Sequence, residues 1–158
     1  MQRENHFDEL RFIRQIRYQK LGANGQQKLS QAHVGIVGCG ALGSATAVAL
    51  TRAGIGNLTI IDRDVPEWSN LPRQILYTET DVRDGLPKAI IAERRLKEID
   101  SSLHVISHVA DLTAHNISDL LSAVDIIVDG TDNFETRFLM NDFACHENIP
   151  WIYGGVIG

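Results

Sequence analysis

The sequence has few of the features expected of a secreted, membrane-spanning or nucleic-acid-binding protein. Its 158 residues include only two cysteines, too few for a disulfide framework or a four-thiolate zinc site. No apolar run approaches the roughly 20 residues that span a bilayer, and no apolar stretch follows the first charged residues as it would in a secretory signal. The formal net charge is −5, whereas a nucleic-acid surface needs excess lysine and arginine. We therefore expect a cytoplasmic protein that binds neither a membrane nor nucleic acid.

Short apolar segments alternate with helical patterns along most of the chain. An amphipathic helix is predicted over residues 7–21, with a glycine-containing break at residues 22–25 and a short helical segment at residues 26–29. Strands are predicted at residues 34–38, 58–62, 103–109, 124–128 and 151–153, with helices at residues 41–53, 87–99, 117–121 and 133–146. This alternation predicts an α/β fold, a Rossmann-like parallel sheet of about five strands with helices on both faces. We divide the chain into an N-terminal helical segment at residues 1–30 and a nucleotide-binding domain at residues 31–158.

A glycine-rich turn follows the first predicted strand, and an acidic residue ends the second. Gly38 allows a tight turn, Gly40 lets backbone N–H groups approach phosphate oxygens, and Gly43 permits close packing of helix on strand. Asp62 stands where a carboxylate would accept hydrogen bonds from a ribose. The pattern indicates an adenine-nucleotide site, and by itself it leaves open whether the nucleotide is a hydride carrier or a substrate.

A polar, irregular stretch at residues 63–86 is longer than a routine loop and predicts a function or a short internal helix. Arg73 within it offers a rigid fork of donors to phosphate oxygens, or it is simply an exposed surface arginine. Lys88 lies in the first turn of the next predicted helix, where a cation is unfavourable unless an anion is near. The alternative is a solvated lysine, and Asp64 is equally compatible with a solvated loop position.

Asp132 follows the fourth predicted strand and has two interpretations. With Glu135 three residues later it would form a capping pair at the start of a helix. Alternatively its carboxylate would hold Mg²⁺ together with phosphate oxygens and waters. The two roles are compatible if neighbouring residues cap the helix.

Taken together, these clusters resemble the adenylation domain of the ubiquitin-activating-enzyme superfamily, in particular the bacterial ThiF/MoeB/HesA group. The resemblance runs from Leu10 to the end of the chain. The residues that carry it are 11–15, 38–43, 53–62, 69–74, 87–89, 129–133 and 153–155. Several motifs in the family order make the resemblance more specific than the glycine turn alone.

The resemblance implies that the carboxylate of the C-terminal glycine of a ubiquitin-like sulfur-carrier protein attacks the α-phosphate of Mg·ATP, and that pyrophosphate leaves. It leaves open whether the carrier serves thiamine or molybdopterin synthesis. It implies catalytic roles for Arg14, Arg73, Lys88 and Asp132, with Mg²⁺ on Asp132 and Arg14 reaching into the second subunit of a homodimer. The nucleotide-binding residues that it implies are Gly38, Gly40, Gly43, Asp62, Asn70, Arg73, Gln74 and Lys88.

The sequence departs from the family pattern in two places. Pro72 stands where relatives usually have glutamine, and proline fixes φ and removes an N–H. The resemblance also implies a later part of the family domain that these 158 residues do not contain, with a crossover loop, often a reactive cysteine and often two CxxC pairs that hold zinc. We therefore expect a truncated enzyme that binds ATP poorly or turns over little. The alternatives are an NAD-dependent oxidoreductase, a non-catalytic nucleotide-binding fragment, and the related branch that activates a carboxylate on tRNA.

Overall fold

The computed structural model describes residues 10–155 and contains one five-stranded sheet in that part of the chain. Its strands are β1 (His33–Val37), β2 (Asn57–Ile61), β3 (His104–His108), β4 (Ile126–Asp129) and β5 (Trp151–Ile152). They are all parallel and lie in the order β3-β2-β1-β4-β5. The chain order reverses between β1 and β4, which is where open parallel sheets bind ligands at the carboxyl ends of their strands. The predicted Rossmann-like α/β fold is confirmed.

Helices cover both faces of this sheet. They are α1 (Ile13–Ile16), α2 (Gly22–Gln31), α3 (Ala41–Ala53), α4 (Glu79–Asp84), α5 (Lys88–Ile99), α6 (Ile117–Leu121) and α7 (Phe134–Glu147), with a 3₁₀ helix at Trp68–Asn70. Neighbouring β1 residues point to opposite faces, as a strand requires. Ile36 belongs to one core cluster with side chains of α3 and α5, and Val37 belongs to a second with side chains of α6 and α7. Two apolar layers therefore hold the strand ends in place.

The prediction for the amino-terminal helices was wrong in its boundaries. The helix expected over residues 7–21 is the short α1 in the described part, and residues 7–9 lie outside the described residues. The expected glycine break is instead the start of α2, which continues to Gln31. Gln26 explains the difference, because its buried amide donates to the Ala53 carbonyl at 2.9 Å. Such tertiary contacts outweigh the low helix propensity of glycine.

The irregular stretch after β2 contains the 3₁₀ helix and α4, so the expected internal helix is present. Thr78 caps α4 by accepting a hydrogen bond from the Asp81 N–H, and the Asp81 carboxylate accepts one from the Thr78 N–H. This reciprocal pattern is a capping box. Among the described residues, no helix is long and apolar enough to cross a membrane.

Candidate nucleotide-binding site

A cavity of about 860 Å³ opens at the carboxyl ends of β1, β2 and β4. Most of the predicted site residues line it, namely Gly38, Gly40, Asp62, Arg73, Gln74, Lys88 and Asp132. Gly43, Asn70 and Arg14 do not line it. Asn70 instead borders a smaller cavity of about 310 Å³ that shares Asp64 and Lys88 with the larger one.

The glycine turn between β1 and α3 packs against the loop that follows β4. Gly38 has a φ of 83°, and a Cβ there would lie 2.8 Å from the carbonyl carbon of Gly130. A Cβ on Gly43 would collide with the Gly38 carbonyl oxygen. Gly38 therefore allows the turn and the close approach of the two loops, and Gly43 allows α3 to pack on the turn.

The first residues of α3 present unpaired backbone donors to the cavity. The N–H groups of Gly40, Ala41 and Leu42 donate to no other described residue, and these three residues line the cavity. The first N–H groups of a helix have no partner within it, and the helix dipole adds positive potential at that end. This end of α3 is suited to bind an anion such as phosphate.

Asp62 lies at the carboxyl end of β2 and is fixed by two backbone donors. Its Oδ2 accepts from the Cys39 N–H at 2.6 Å and its Oδ1 accepts from the Asp64 N–H at 2.8 Å. Burial raises the pKa of this carboxyl, and the two N–H groups and Lys88 oppose that shift. Each carboxylate oxygen has a further lone pair, so Asp62 can still accept from a ribose hydroxyl.

Lys88 is buried, so the alternative that it is a solvated lysine was wrong. It is only 5% exposed, and its Nζ lies 3.1 Å from Oδ2 of Asp64. Its backbone N–H also donates to the Asp64 carbonyl at 2.7 Å. The Lys88 ammonium has three N–H donors, and the Asp64 carboxylate accepts from one of them. The others remain for an anionic ligand.

The loop at residues 69–74 holds its polar side chains largely on itself. Asn70 is buried, and its Oδ1 accepts from the Glu67 N–H at 3.0 Å, so it caps the 3₁₀ helix. Arg73 is exposed and donates to the Ser69 carbonyl at 2.8 Å. Gln74 is buried, and its Oε1 has no hydrogen-bond partner among the described residues. An unpaired buried acceptor on the cavity wall is available to a ligand donor.

Asp132 is not the helix cap that one interpretation of the sequence proposed. The N-cap of α7 is Asn133, whose Oδ1 accepts from the Thr136 N–H at 2.9 Å. The Asp132 carboxylate is exposed, lines the cavity and makes no hydrogen bond to another described residue. The described residues contain no group of three side chains that could hold a metal by themselves. A single carboxylate suits Mg²⁺ that arrives already bound to the phosphates of a nucleotide.

Arg137 is a site residue that the sequence reasoning missed. Its Nε lies 2.9 Å from Oδ2 of the fully buried Asp129, at the end of β4. Its guanidinium also donates to the carbonyls of Thr131 at 2.6 Å and Gly154 at 3.0 Å. It thereby fixes the loop that carries Asp132. The argument applied to Lys88 could have found it, since a cation in an early turn of a helix calls for an anionic partner.

Arg14 lies near the opposite edge of the sheet from the cavity. Its neighbour Phe12 is buried beneath the carboxyl end of α3, where a Cβ on Gly54 would lie 2.7 Å from the ring. The cavity is at the amino end of the same helix, which has 13 residues. At 1.5 Å per residue the two ends are about 20 Å apart. The side chain of Arg14 is exposed, and it does not reach the cavity of its own chain.

The strand order, the glycine turn and the crevice beside it define a Rossmann-like α/β domain of the nucleotide-binding type. Within that class the chain belongs to the ThiF family, whose model matches residues 12–158.

Two curated relatives have sequences similar to this chain. The sulfur carrier protein ThiS adenylyltransferase of Bacillus subtilis is 51% identical over 148 residues, which are 94% of this chain and 44% of the relative. The sulfur carrier protein adenylyltransferase of Thermus thermophilus is 38% identical over 146 residues, which are 92% of this chain and 53% of the relative. The chain therefore spans about half the length of these relatives.

Among solved structures, the chain is similar to the Escherichia coli tRNA N6-threonylcarbamoyladenosine dehydratase TcdA in complex with ATP. The TM-score is 0.85 at 29% identity, and the match covers 95% of this chain and 62% of the other. A related enzyme of the same fold has therefore been crystallised with the nucleotide that the sequence analysis predicts.

Proposed function

We propose that the protein binds Mg·ATP in the cavity and adenylates the C-terminal glycine carboxylate of a ubiquitin-like sulfur-carrier protein, and that it does so in the cytoplasm. One observation carries the proposal. The unpaired N–H groups at the start of α3, the buried cation of Lys88 and the unpaired carboxylate of Asp132 all line one cavity. A triphosphate with a divalent cation uses all three. The pyrophosphate and ribose of a hydride carrier need only the helix start and Asp62, so Lys88 and Asp132 are the residues that favour Mg·ATP.

In the proposed reaction, a carboxylate oxygen of the carrier forms a bond to the α-phosphorus. The bond between that phosphorus and the oxygen bridging to the β-phosphate breaks, and pyrophosphate takes the electron pair. The carboxylate is already ionised at neutral pH, so no general base is required. The protein contributes alignment and neutralisation of charge, which are the main requirements of transfer at phosphorus.

Each residue has a role set by its position. Asp62 accepts from the ribose and Gln74 accepts from a donor on the bound substrates. Lys88 and Arg73 contact the phosphates together with the backbone of Gly40. Asn70 acts indirectly, because it holds the 3₁₀ helix that precedes Arg73. Asp132 binds the Mg²⁺ that enters with ATP.

Arg14 is proposed to act on the nucleotide of a second copy of the chain. The support is the distance of about 20 Å between the ends of α3, which separates Arg14 from the cavity of its own chain. An exposed arginine at that edge can still complete the site of a partner, since a two-fold dimer places the same residue at both sites. The proposal therefore includes a homodimer.

The carrier is proposed to be of the ThiS type, because the Bacillus subtilis relative named for that carrier is 51% identical to this chain. The reaction is tested by carrier-dependent exchange of radioactive pyrophosphate into ATP. We expect exchange with a ThiS-type carrier, and none with the same carrier lacking its terminal glycine. Exchange that is independent of the carrier's terminus would contradict the proposal. Reduction of NAD without exchange would favour the oxidoreductase instead.

A further inference from the structure

The glycine turn is held by a residue that lies outside the cavity. Tyr77 follows the irregular loop, is only 5% exposed, and donates its hydroxyl hydrogen to the Cys39 carbonyl at 2.7 Å. Burial raises the pKa of this phenol far above its usual range, so the hydroxyl stays protonated and remains a donor. Cys39 is the central residue between Gly38 and Gly40.

The two peptide groups on either side of Cys39 are thereby fixed by different partners. The N–H of Cys39 donates to Asp62 at 2.6 Å, which orients the Gly38–Cys39 peptide. The carbonyl of Cys39 accepts from Tyr77, which orients the Cys39–Gly40 peptide. The described chain contains no cis peptide bond, and in a trans peptide the C=O and the following N–H point in opposite directions.

From this geometry we infer that Tyr77 is a positioning residue for the nucleotide, because its hydroxyl holds the Cys39 carbonyl inward and so turns the Gly40 N–H towards the cavity. The inference rests on the proposed function and adds a residue that touches no ligand. It also explains how the turn avoids presenting a carbonyl oxygen to an anion. Without the hydroxyl, the Cys39–Gly40 peptide can rotate and place its acceptor where a phosphate oxygen would bind.

The test compares Tyr77→Phe with Thr51→Val. Thr51 is a matched control because it is fully buried and its hydroxyl donates to the Ala47 carbonyl at 2.8 Å, near the end of α3 that is remote from the cavity. Both variants remove one buried hydroxyl that donates to a backbone carbonyl, and urea denaturation measures the stability that each variant loses. Only Tyr77→Phe is expected to weaken binding of Mg·ATP, by about three- to tenfold, as the loss of one oriented hydrogen bond predicts.

Binding of adenosine, which has no phosphate, distinguishes a misoriented glycine turn from a general distortion of the nucleotide site. Its affinity, measured by competition with Mg·ATP, should fall less than twofold in Tyr77→Phe if the hydroxyl acts through the Gly40 N–H. Equal losses for adenosine and Mg·ATP would show a merely structural role. Unchanged binding of Mg·ATP in Tyr77→Phe would contradict the inference and leave the proposed function intact. Failure of the unmodified protein to bind Mg·ATP would contradict the proposed function itself.

A second measurement needs no variant and uses the amide resonances of the unmodified protein. The Gly40 amide proton is expected to shift downfield with Mg·ATP and to shift little with adenosine, because a charged phosphate acceptor replaces water at that N–H. A Gly40 amide that is indifferent to Mg·ATP while other cavity residues respond would overturn the inference, even if Tyr77→Phe did not fold.

Discussion

The backbone part of the site and its cationic part are held in different ways. The glycine turn is fixed by Asp62 and Tyr77 of the same chain, and Gly38 and Gly40 of this turn line the cavity. The two cationic side chains differ in burial. Lys88 is buried, whereas Arg73 is exposed and donates a hydrogen bond within its own loop. The comparison teaches that the backbone donors are held in place by buried partners, whereas the Arg73 guanidinium is held by its own exposed loop and would have to leave the Ser69 carbonyl to contact a phosphate.

The largest effect is expected from removing Arg137, which holds the loop after β4 against which the glycine turn packs. Arg137→Ala leaves the fully buried Asp129 carboxylate without its ion pair, and loss of one partner of a buried pair costs roughly 3–5 kcal/mol of unfolding free energy. Urea denaturation measures the change. Arg83→Ala is the control, because the Arg83–Glu79 pair is mostly exposed and is worth at most about 1 kcal/mol. Similar losses in the two variants would contradict the role given to Arg137.

The second-largest effect is expected from removing the cation of Lys88, and it concerns activity rather than stability. Lys88→Ala is expected to lower carrier-dependent exchange by about a hundredfold or more, as removal of one preorganised charge at a reacting phosphate does. Its partner Asp64 is 58% exposed at the side chain and also lies 3.9 Å from Nε of Arg63. Its carboxylate therefore stays solvated when Lys88 is removed, and we expect the fold to be retained. Lys97→Ala, which breaks a solvent-accessible pair with Glu93, should leave exchange unchanged. Normal exchange in Lys88→Ala would rule out its phosphate role.

A smaller, positive effect is expected from mixing two inactive variants. Arg14→Ala and Lys88→Ala subunits each lack one residue, and a mixed dimer contains one site with both residues if Arg14 acts across the interface. Random assortment of equal amounts gives mixed dimers half the time, so about one quarter of all sites should be active. Exchange activity measured after mixing reports the result. No recovery would mean that Arg14 acts within its own chain or does not act.

The smallest expected effect is a pH dependence of stability at Asp62. Because burial raises the pKa of this carboxyl in the folded protein, the folded state binds its proton more tightly than the unfolded state. Stability contributed by Asp62 is therefore lost as pH rises from the unfolded pKa of about 3.9 through the higher folded value. Asp62→Asn should lack this loss in urea titrations of the ligand-free protein. Asp142→Asn, at an exposed position of α7, should behave like the unmodified protein.

The sheet and the glycine turn were predictable because their signals are local. Buried strands between glycines have a recognisable pattern, and the φ of 83° at Gly38 is one that few other residues adopt. The boundaries of α2 were not predictable, since Gln26 stabilises that helix through a contact with Ala53 that is distant in sequence. Tertiary contacts of this kind are invisible to a periodicity argument.

Some site residues were predictable from the topology, and others depend on contacts that the sequence does not show. Asp62, Lys88 and Asp132 follow strands or begin helices, so the topology alone brings them to one edge of the sheet. Arg137 was missed although a cation in an early turn of a helix is a signal, because that signal does not identify the buried Asp129, eight residues earlier, as its partner. The choice of Asn133 over Asp132 as the helix cap also depended on backbone geometry, because both residue types cap helices well.

The central claim is tested most directly by the thermal stability of the protein with Mg·ATP, with NAD and with neither, at matched concentrations. A ligand at about 100 times its dissociation constant adds about 2.7 kcal/mol to stability, which a melting shift reveals. We predict a shift with Mg·ATP that is lost in Asp132→Ala, and no shift with NAD. A shift with NAD alone, or no shift with Mg·ATP, would contradict the assignment of this cavity to ATP.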